Sequence, residues 1–350
     1  MVAACNVPED LLLNMSTQEL VDLLLDYPLL GDLMLFSDIN EGISVMKQNS
    51  NVLSELLSRE DGASLLLEAY SDFKPIKETK LINEIVNKAK DDNNEIMDII
   101  EDEKYDDVLE EMTDSISENL FLEAILAQED VMKQLNSTEL NNLREVAAET
   151  VEEKAESPIY ASIATTIYDV AEETNCVDVL GNIPIEVDSV EENDCVRANT
   201  DVATVYTPNK TPVKVTTEDY YGDIHSLFDT VAMLADYPDV KVVANANNQY
   251  NCHSYAWYKQ STSNKYWMND PSAYWKDGSY SSTSTKRAGE RIVYFNNKTS
   301  SGKKVNPIHS GIIYSINGST VKVKSKWGRA PLVIHKKNYS PYGKICSYYK

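Results

Sequence analysis

Charge is distributed very unevenly along this chain of 350 residues. Residues 241–350 carry 18 of the 32 Lys and Arg residues but only three of the 56 Asp and Glu residues. Residues 1–240 are therefore strongly acidic, and all four tryptophans lie in the basic remainder. Two regions that differ this much in composition predict two domains, and the chain is long enough to give each its own core.

Residues 1–175 predict an acidic helical domain. Apolar residues recur three or four positions apart in several segments, as in the run ELVDLLLDY. Ser16 followed by Glu19 forms a capping box, which predicts that a helix begins there. The pattern as a whole predicts six to eight short helices in an α-helical array or bundle.

Residues 176–220 predict an extended linker whose later part forms strands that lead into the next domain. Residues 221–350 predict a mixed domain with strand-like runs such as RIVYFN, HSGIIYSI, TVKVKSKW and PLVIH. Asn317-Gly318 between two of these runs is a strong hairpin signal. The fold class predicted is therefore multidomain, with an all-α N-terminal region followed by an α+β domain that contains an antiparallel sheet.

Cys252 is the residue with the clearest chemical potential. Asn251 before it is a good N-cap, so Cys252 is predicted in the first turn of a helix, where a thiol pKa is lowered. A nucleophilic cysteine also needs a base, and His253 is a poor one because neighbours on a helix point about 100° apart. His309 begins a strand that can pass the start of this helix, so it is the better candidate.

The other readings of the cysteines stay open. A lone cysteine is more often an inert buried residue than a nucleophile. Cys176 and Cys195 would form one disulfide in an exported protein. The sequence contains no CxxC pair, so no metal site and no cofactor are predicted.

Three sequence blocks resemble a known family. They are YNCHSYAW around Cys252, AGERIVYF with Glu290 at the family's Asp position, and HSGIIYSI from His309. In order and spacing they resemble the NlpC-type and CHAP-type branch of the papain-like cysteine hydrolases, which are bacterial cell-wall peptidases and amidases. The chain is also similar to a group of secreted Gram-positive proteins that begin like CNVPEDLLLNMSTQELV and contain NCHSYAW and SKWG. The resemblance implies a papain-like fold for residues 221–350.

The resemblance also implies catalytic roles. Cys252 would be the nucleophile, His309 the general base, and the Cys252 backbone N–H would meet the oxyanion. The third member is either His335, because the NlpC branch often uses a second histidine, or Ser325, which lies near the position of the CHAP acidic residue. A two-residue turn at Asn317-Gly318 would put Ser325 or Lys326 opposite His309.

Four further side chains are candidates for substrate binding, although a core position is the alternative for each. They are Tyr250, His253, Trp267 and Trp327.

The function implied is a secreted cysteine peptidase or amidase that hydrolyses peptidoglycan amide bonds and is associated with the cell wall. The basic domain suits peptidoglycan or another anionic cell-wall polymer, and the acidic helical domain is expected to dock on it. Nucleic acid is not an expected partner, because the basic residues are scattered and no nucleic-acid motif is present. No apolar run reaches the roughly 18–20 residues of a membrane span, and the start MVAACNVPED lacks the segments of a signal peptide. The alternative function is a catalytically degenerate surface protein that only binds a partner.

Overall fold

The structure is a computed structural model that describes residues 6–27, 30–77, 79–90, 96–156, 167, 171, 201–218 and 220–350. The chain forms two compact units. The helical unit consists of Met1–Leu33 and Gly42–Cys195, and the sheet unit consists of Met34–Glu41 and Val196–Lys350. A short stretch of the N-terminal sequence thus belongs to the sheet unit. The prediction of a helical region followed by a region with an antiparallel sheet is confirmed.

The described part of the N-terminal region contains ten α-helices and no strand. They are α1 (Glu9–Leu12), α2 (Thr17–Leu25), α3 (Ile39–Asn49), α4 (Asn51–Ser58), α5 (Gly62–Asp72), α6 (Lys80–Ala89), α7 (Ile96–Ile100), α8 (Asp106–Leu126), α9 (Glu129–Met132) and α10 (Ser137–Glu156). Helices α8 and α10, with 21 and 20 residues, are longer than the short helices predicted. Neither contains a Gly or Pro that would end it earlier. No helix in the described ranges is long and apolar enough to cross a bilayer.

Local sequence signals account for several helix starts. The predicted capping box is confirmed, because the Ser16 side chain accepts the Glu19 N–H and the Glu19 carboxylate accepts the Ser16 N–H. Ser50 and Thr79 cap α4 and α6 in the same way with their hydroxyl oxygens. Helix α8 is held by packing instead, since every side chain from Asn119 to Leu126 is buried.

The sheet unit contains two α-helices of its own, one π-helical turn (Ser254–Tyr258) and nine strands among its described residues. The helices are α11 (Asp223–Asp236) and α12 (Ala273–Lys276), and the strands are β1 (Asp201–Tyr206), β2 (Pro212–Thr217), β3 (Lys241–Ala244), β4 (Ser282–Thr283), β5 (Arg291–Lys298), β6 (Lys304–Asn317), β7 (Thr320–Lys326), β8 (Leu332–Lys336) and β9 (Cys346–Tyr349). Strands β1 and β2 form a separate antiparallel hairpin. The other seven form one antiparallel sheet in the order β3-β8-β7-β6-β5-β9-β4. The cysteines predicted to pair, 176 and 195, lie outside the described residues, as does most of the predicted linker.

The hairpin between β6 and β7 sets the positions of the candidate site residues. It is formed as predicted, but Asn317 pairs with Thr320, so the turn residues are Gly318 and Ser319. The register then shifts between Ile313 and Ser315. As a result Ser325 lies beside Gly311, where an added Cβ would be 3.1 Å from the Ser325 Cβ. The expectation that Ser325 or Lys326 lies opposite His309 is therefore wrong, because the turn lies one residue later than predicted and the extra residue in β6 offsets only part of that shift.

The core of the sheet unit is rich in aromatic side chains. Trp257 is its centre and is only 3% exposed. The rings of Trp275 and Tyr349 lie 5.2 and 5.6 Å from it, and its indole N–H donates to the Ser310 hydroxyl at 2.9 Å. This packing fixes the turn that carries Cys252 against strand β6.

Candidate functional site

The turn that carries Cys252 begins where the sequence predicts. The Asn251 side-chain oxygen accepts the Ser254 N–H at 3.0 Å, so the N-cap is confirmed. The Asn251 amide also donates to the Met268 carbonyl at 2.8 Å, which ties the turn to the following loop. The helix ends at Tyr258, so it is short. Its last five residues, Ser254–Tyr258, form a π-helical turn, which is closed by a hydrogen bond from the Lys259 N–H to the Ser254 carbonyl.

The Cys252 thiol is completely buried. Its sulfur lies 3.5 Å from the Ser37 hydroxyl and accepts a hydrogen bond from the Ser310 backbone N–H. Burial raises the pKa of this thiol to about 12, and the bonds from Ser37 and Ser310 offset only part of that effect, while the nearby Glu41 raises the pKa further. The expectation that a helix start lowers the thiol pKa is therefore wrong for this arrangement, because desolvation outweighs the short turn.

The His309 imidazole is also completely buried. It stacks in parallel on the Tyr342 ring, with the ring centroids 3.6 Å apart and the planes at 5°. Neither of its ring nitrogens has a hydrogen-bond partner among the described residues. Burial lowers the pKa of His309 well below its ordinary value, and the neighbouring His335 and His253 lower it further.

Cys252 contacts β6 next to His309, but the two side chains are not hydrogen-bonded to each other. The Ser310 backbone, one residue beyond His309, contacts the thiol. The Ser310 hydroxyl lies 2.8 Å from His253 Nδ1, whereas His309 pairs with Tyr294 on β5. Because successive strand side chains point to opposite faces, the Ser310 side chain points toward the turn that carries Cys252, and the His309 side chain points toward Tyr342. No hydrogen bond joins the thiol to the imidazole in the described part of the chain.

The two candidates for a third catalytic residue are bonded to each other. His335 Nδ1 lies 3.0 Å from the Lys336 carbonyl, which can only accept, so Nδ1 carries the proton. His335 Nε2 then accepts from the Ser325 hydroxyl at 3.0 Å, and that hydroxyl accepts the Trp327 indole N–H at 3.1 Å. Burial lowers the pKa of His335 to about 4, so this ring is neutral. Both of its nitrogens are occupied, and neither is available to orient His309.

The four predicted substrate-binding side chains are buried. The exposed fraction is 0% for Tyr250 and Trp327, 1% for His253 and 7% for Trp267. His253 bonds to Ser310, and Trp327 packs edge-on against the Tyr342 and His335 rings. In this arrangement all four act as core residues, which is the alternative that the sequence left open.

Lys326 is a site residue that the sequence did not identify as functional. Its ammonium group is completely buried and donates to four backbone carbonyls at 2.6 to 2.8 Å. These carbonyls belong to Asn247, Gly328, Arg329 and Ala330. Burial lowers the pKa of Lys326 to about 7, and the charge of the Cys252 thiolate would act to raise it. The only sequence signal is a lysine inside an otherwise buried strand end, SKWG.

The stretch Met34–Glu41 is the second feature that the sequence missed. It supplies Ser37 to the thiol and the Leu35 carbonyl to the Tyr342 hydroxyl, at 2.5 Å. The apolar run LMLF departs from the helical spacing around it, but nothing in the sequence identifies what it contacts.

No set of three or more His, Cys, Asp or Glu side chains in the described ranges is grouped so that it could hold a metal ion. The chemistry at the site is therefore that of a thiol, three imidazoles and a buried ammonium. No protein-family model, curated protein or solved structure is significantly similar to this chain. Any functional assignment rests on the residues themselves.

Proposed function

We propose that this protein is a secreted cysteine peptidase or amidase whose sheet unit has a papain-like fold of the NlpC or CHAP type. Cys252 is the nucleophile and His309 the general base. The observation that carries the proposal is the His309 ring, which is fully buried with no partner for either nitrogen within the described chain. An unsatisfied buried polar group costs about 1–3 kcal/mol, and such groups concentrate where a reaction needs them.

The order of the elements supports the same proposal. A cysteine-bearing turn packs on β6 of an antiparallel sheet, and the histidine lies on β6 itself. Papain-like hydrolases combine a helix-borne thiol with a strand-borne imidazole in this order.

The proposed reaction is acyl transfer. His309 takes the proton of the Cys252 thiol, and the thiolate sulfur attacks the carbonyl carbon of an amide. The tetrahedral intermediate collapses as the C–N bond breaks, and His309 returns the proton to the leaving amine. Water, deprotonated by His309, then hydrolyses the thioester and regenerates the thiol. The resting arrangement must change before the first step, because the thiol and imidazole are not hydrogen-bonded and the His309 side chain points to the opposite side of β6 from Ser310, which faces the turn that carries Cys252.

A cluster of exposed and half-buried lysines supports an anionic substrate. It lies on one face of three neighbouring strands and consists of Lys241 on β3, Lys336 on β8, and Lys322 and Lys324 on β7. We call it the lysine face. Lys322 and Lys336 are direct cross-strand partners, an arrangement that is unfavourable for like charges. None of the four makes an ion pair with a described residue, so an anionic polymer would gain their full attraction.

The proposed substrate is therefore peptidoglycan in a wall that carries anionic polymers. Amide bonds of its stem peptides are the bonds attacked. The proposed location is outside the cell, in association with the wall, and this part of the proposal rests on the family resemblance alone.

A second candidate function is a catalytically degenerate binding protein. It is favoured by the occupied nitrogens of His335 and by the thiol pKa of about 12. In this reading the lysine face binds the wall polymer and Cys252 is an inert core residue.

Hydrolysis of purified Gram-positive peptidoglycan tests the proposal. We expect the wild-type protein to release new amino groups, and Cys252→Ala to release none. Cys346→Ala is the matched control, because Cys346 is the other free thiol of the described chain and is only partly buried, at the start of β9. Equal, negligible release by all three proteins, under conditions in which Cys252 reacts with iodoacetamide, would favour the binding protein.

A further inference from the structure

The stretch Met34–Glu41, which we call the plug segment, is part of the sheet unit although it interrupts the sequence of the helical unit. Leu35 and Phe36 are 0% and 5% exposed. The segment ends in the first turn of α3, which begins at Ile39. Its course is therefore set by contacts in the sheet unit.

Tyr342 joins the plug segment to the proposed base. The Tyr342 hydroxyl donates to the Leu35 carbonyl, and the Phe36 ring meets the Tyr342 ring edge to face at 5.3 Å. The same Tyr342 ring stacks on His309. Tyr342 thus contacts a backbone carbonyl and an apolar side chain of the plug segment, and it also stacks on the imidazole.

Gly328 makes room for the backbone of the plug segment. Its φ is +51°, a conformation that favours glycine. A Cβ at this position would lie 2.5 Å from the Phe36 carbonyl oxygen and 2.8 Å from the Leu35 carbonyl carbon. The glycine of the SKWG motif therefore admits the backbone of Leu35 and Phe36 at a distance that no larger residue would allow.

Ser37 covers the thiol. Its hydroxyl lies 3.5 Å from the Cys252 sulfur, and the sulfur is not accessible to solvent. The group placed there is an alcohol, which offers no acyl carbon to a thiolate. The segment therefore fills the position in front of the nucleophile without presenting a bond to cleave at that point.

We propose that the plug segment occupies the peptide-binding groove of the thiol site as an intramolecular ligand, and that a substrate peptide must displace it. The groove would accept a peptide with one backbone carbonyl bonded to Tyr342 and one apolar side chain against that ring. The inhibitory consequence rests on the proposed hydrolase function, whereas the occupation of the groove does not.

The alternative is that the segment is a permanent part of the core. Its second half argues against this, because Ser37 and Asp38 are polar and only partly buried. Burial raises the pKa of the Glu41 carboxyl to about 8, so the docked state disfavours its ionised form at neutral pH. A permanent core position would favour an apolar residue there, while a reversible contact tolerates this penalty.

Alkylation of Cys252 in the native full-length protein tests the proposal, with iodoacetamide as reagent and peptide mass spectrometry to separate the five cysteines. Gly328→Ala perturbs the groove, and Gly318→Ala is its control, because Gly318 has a similar φ of +57° with nothing within 4 Å. Ser37→Asp perturbs the segment, and Ser301→Asp adds the same charge at an exposed turn of the sheet unit. Near-ultraviolet circular dichroism confirms that each variant is folded.

We expect labelling of Cys252 at least ~10-fold faster in Gly328→Ala and Ser37→Asp than in their controls. A synthetic peptide with the sequence of residues 34–41 should slow labelling again in Ser37→Asp, whose groove is unchanged, but not in Gly328→Ala, where the added Cβ excludes the segment. Rapid labelling of the wild-type thiol, or equal rates in variants and controls, would overturn the proposal. Faster labelling in the two variants without hydrolysis of peptidoglycan would support the proposal that the plug segment occupies the groove and would refute the hydrolase function. Hydrolysis by the wild type, with unchanged labelling in both variants, would support the hydrolase function and refute the proposal for the plug segment.

Discussion

Protonation of Glu41 should control how firmly the plug segment is docked. The pKa of Glu41 is raised from an ordinary 4.5 to about 8, mainly because the carboxyl is buried and secondly because Asp38 is near. The charge of Glu41 also acts on the Cys252 thiol, which is neutral below about pH 12. An acid whose pKa is higher in the docked state keeps its proton there. Docking is therefore most stable below about pH 4.5 and loses stability as the pH rises through about 8.

The size of the effect follows from the two pKa values. Ionisation of Glu41 in the released state, but not in the docked state, increases the release equilibrium on the order of 10²- to 10³-fold between about pH 5 and pH 9. Glu41→Gln cannot ionise, so its release equilibrium should be constant over this range. The variant should also dock more firmly than the wild type at about pH 8.

The assay is the iodoacetamide labelling rate of Cys252, divided at each pH by the rate of a small model thiol. We expect the corrected rate of the wild type to rise steeply with pH and that of Glu41→Gln to stay flat. Glu60→Gln, at an exposed position of the helical unit, should follow the wild type. A flat wild-type profile, or a Glu41→Gln variant that keeps the wild-type slope, would refute the reasoning.

Three further predictions follow from single features of the sheet unit. Lys326→Met should lower the free energy of unfolding in urea by roughly 3–5 kcal/mol, because four buried carbonyls lose their donor, whereas Lys324→Met should change it by less than about 0.5 kcal/mol. Ser325→Ala should cost roughly 1–3 kcal/mol in the same measurement, since it leaves an indole N–H and an imidazole nitrogen unpartnered, and a smaller loss would mean that the hydrogen-bonded chain is not formed. Lys322→Glu combined with Lys336→Glu should weaken sedimentation with Gram-positive cell walls and flatten its salt dependence, and unchanged binding would exclude the lysine face.

Much of the fold could be predicted because its signals are local. The capping box at Ser16, the N-cap at Asn251 and the hairpin at Gly318 each depend on residues only a few positions apart. The length of α8 could not be predicted, since its polar residues, such as Asn119 and Glu123, interrupt the apolar pattern yet are buried by packing from other helices. The membership of residues 34–41 in the sheet unit depends on contacts across about 300 positions, such as that of Leu35 with Tyr342.

The site shows the same limit. Residue type and spacing single out Cys252 and His309 as candidates, and in the structure the turn that carries Cys252 contacts β6 at Ser310, next to His309. The position of Ser325 could not be predicted, because a turn one residue later than expected and a one-residue bulge near Tyr314 together place it beside Gly311, where it is bonded to His335. Sequence patterns give no measure of burial either, and burial decides the protonation state of the thiol.

The protonation of the thiol would link the plug segment to the proposed reaction. In water, moving a proton from a thiol with a pKa of about 8.5 to an imidazole with a pKa of about 6.5 costs about 2.7 kcal/mol. Here the rise of the Cys252 pKa to about 12 adds ~5 kcal/mol, and the lowered pKa of His309 adds to it in the same direction. Attraction between the two ions about 4 Å apart would return only about 4 kcal/mol at an effective dielectric constant of about 20. Burial is the first cause of both shifts, and Ser37 of the plug segment contributes to the burial of the thiol. Displacement of the segment should therefore expose the sulfur and make the proton transfer easier in one step, so that labelling and hydrolysis respond together.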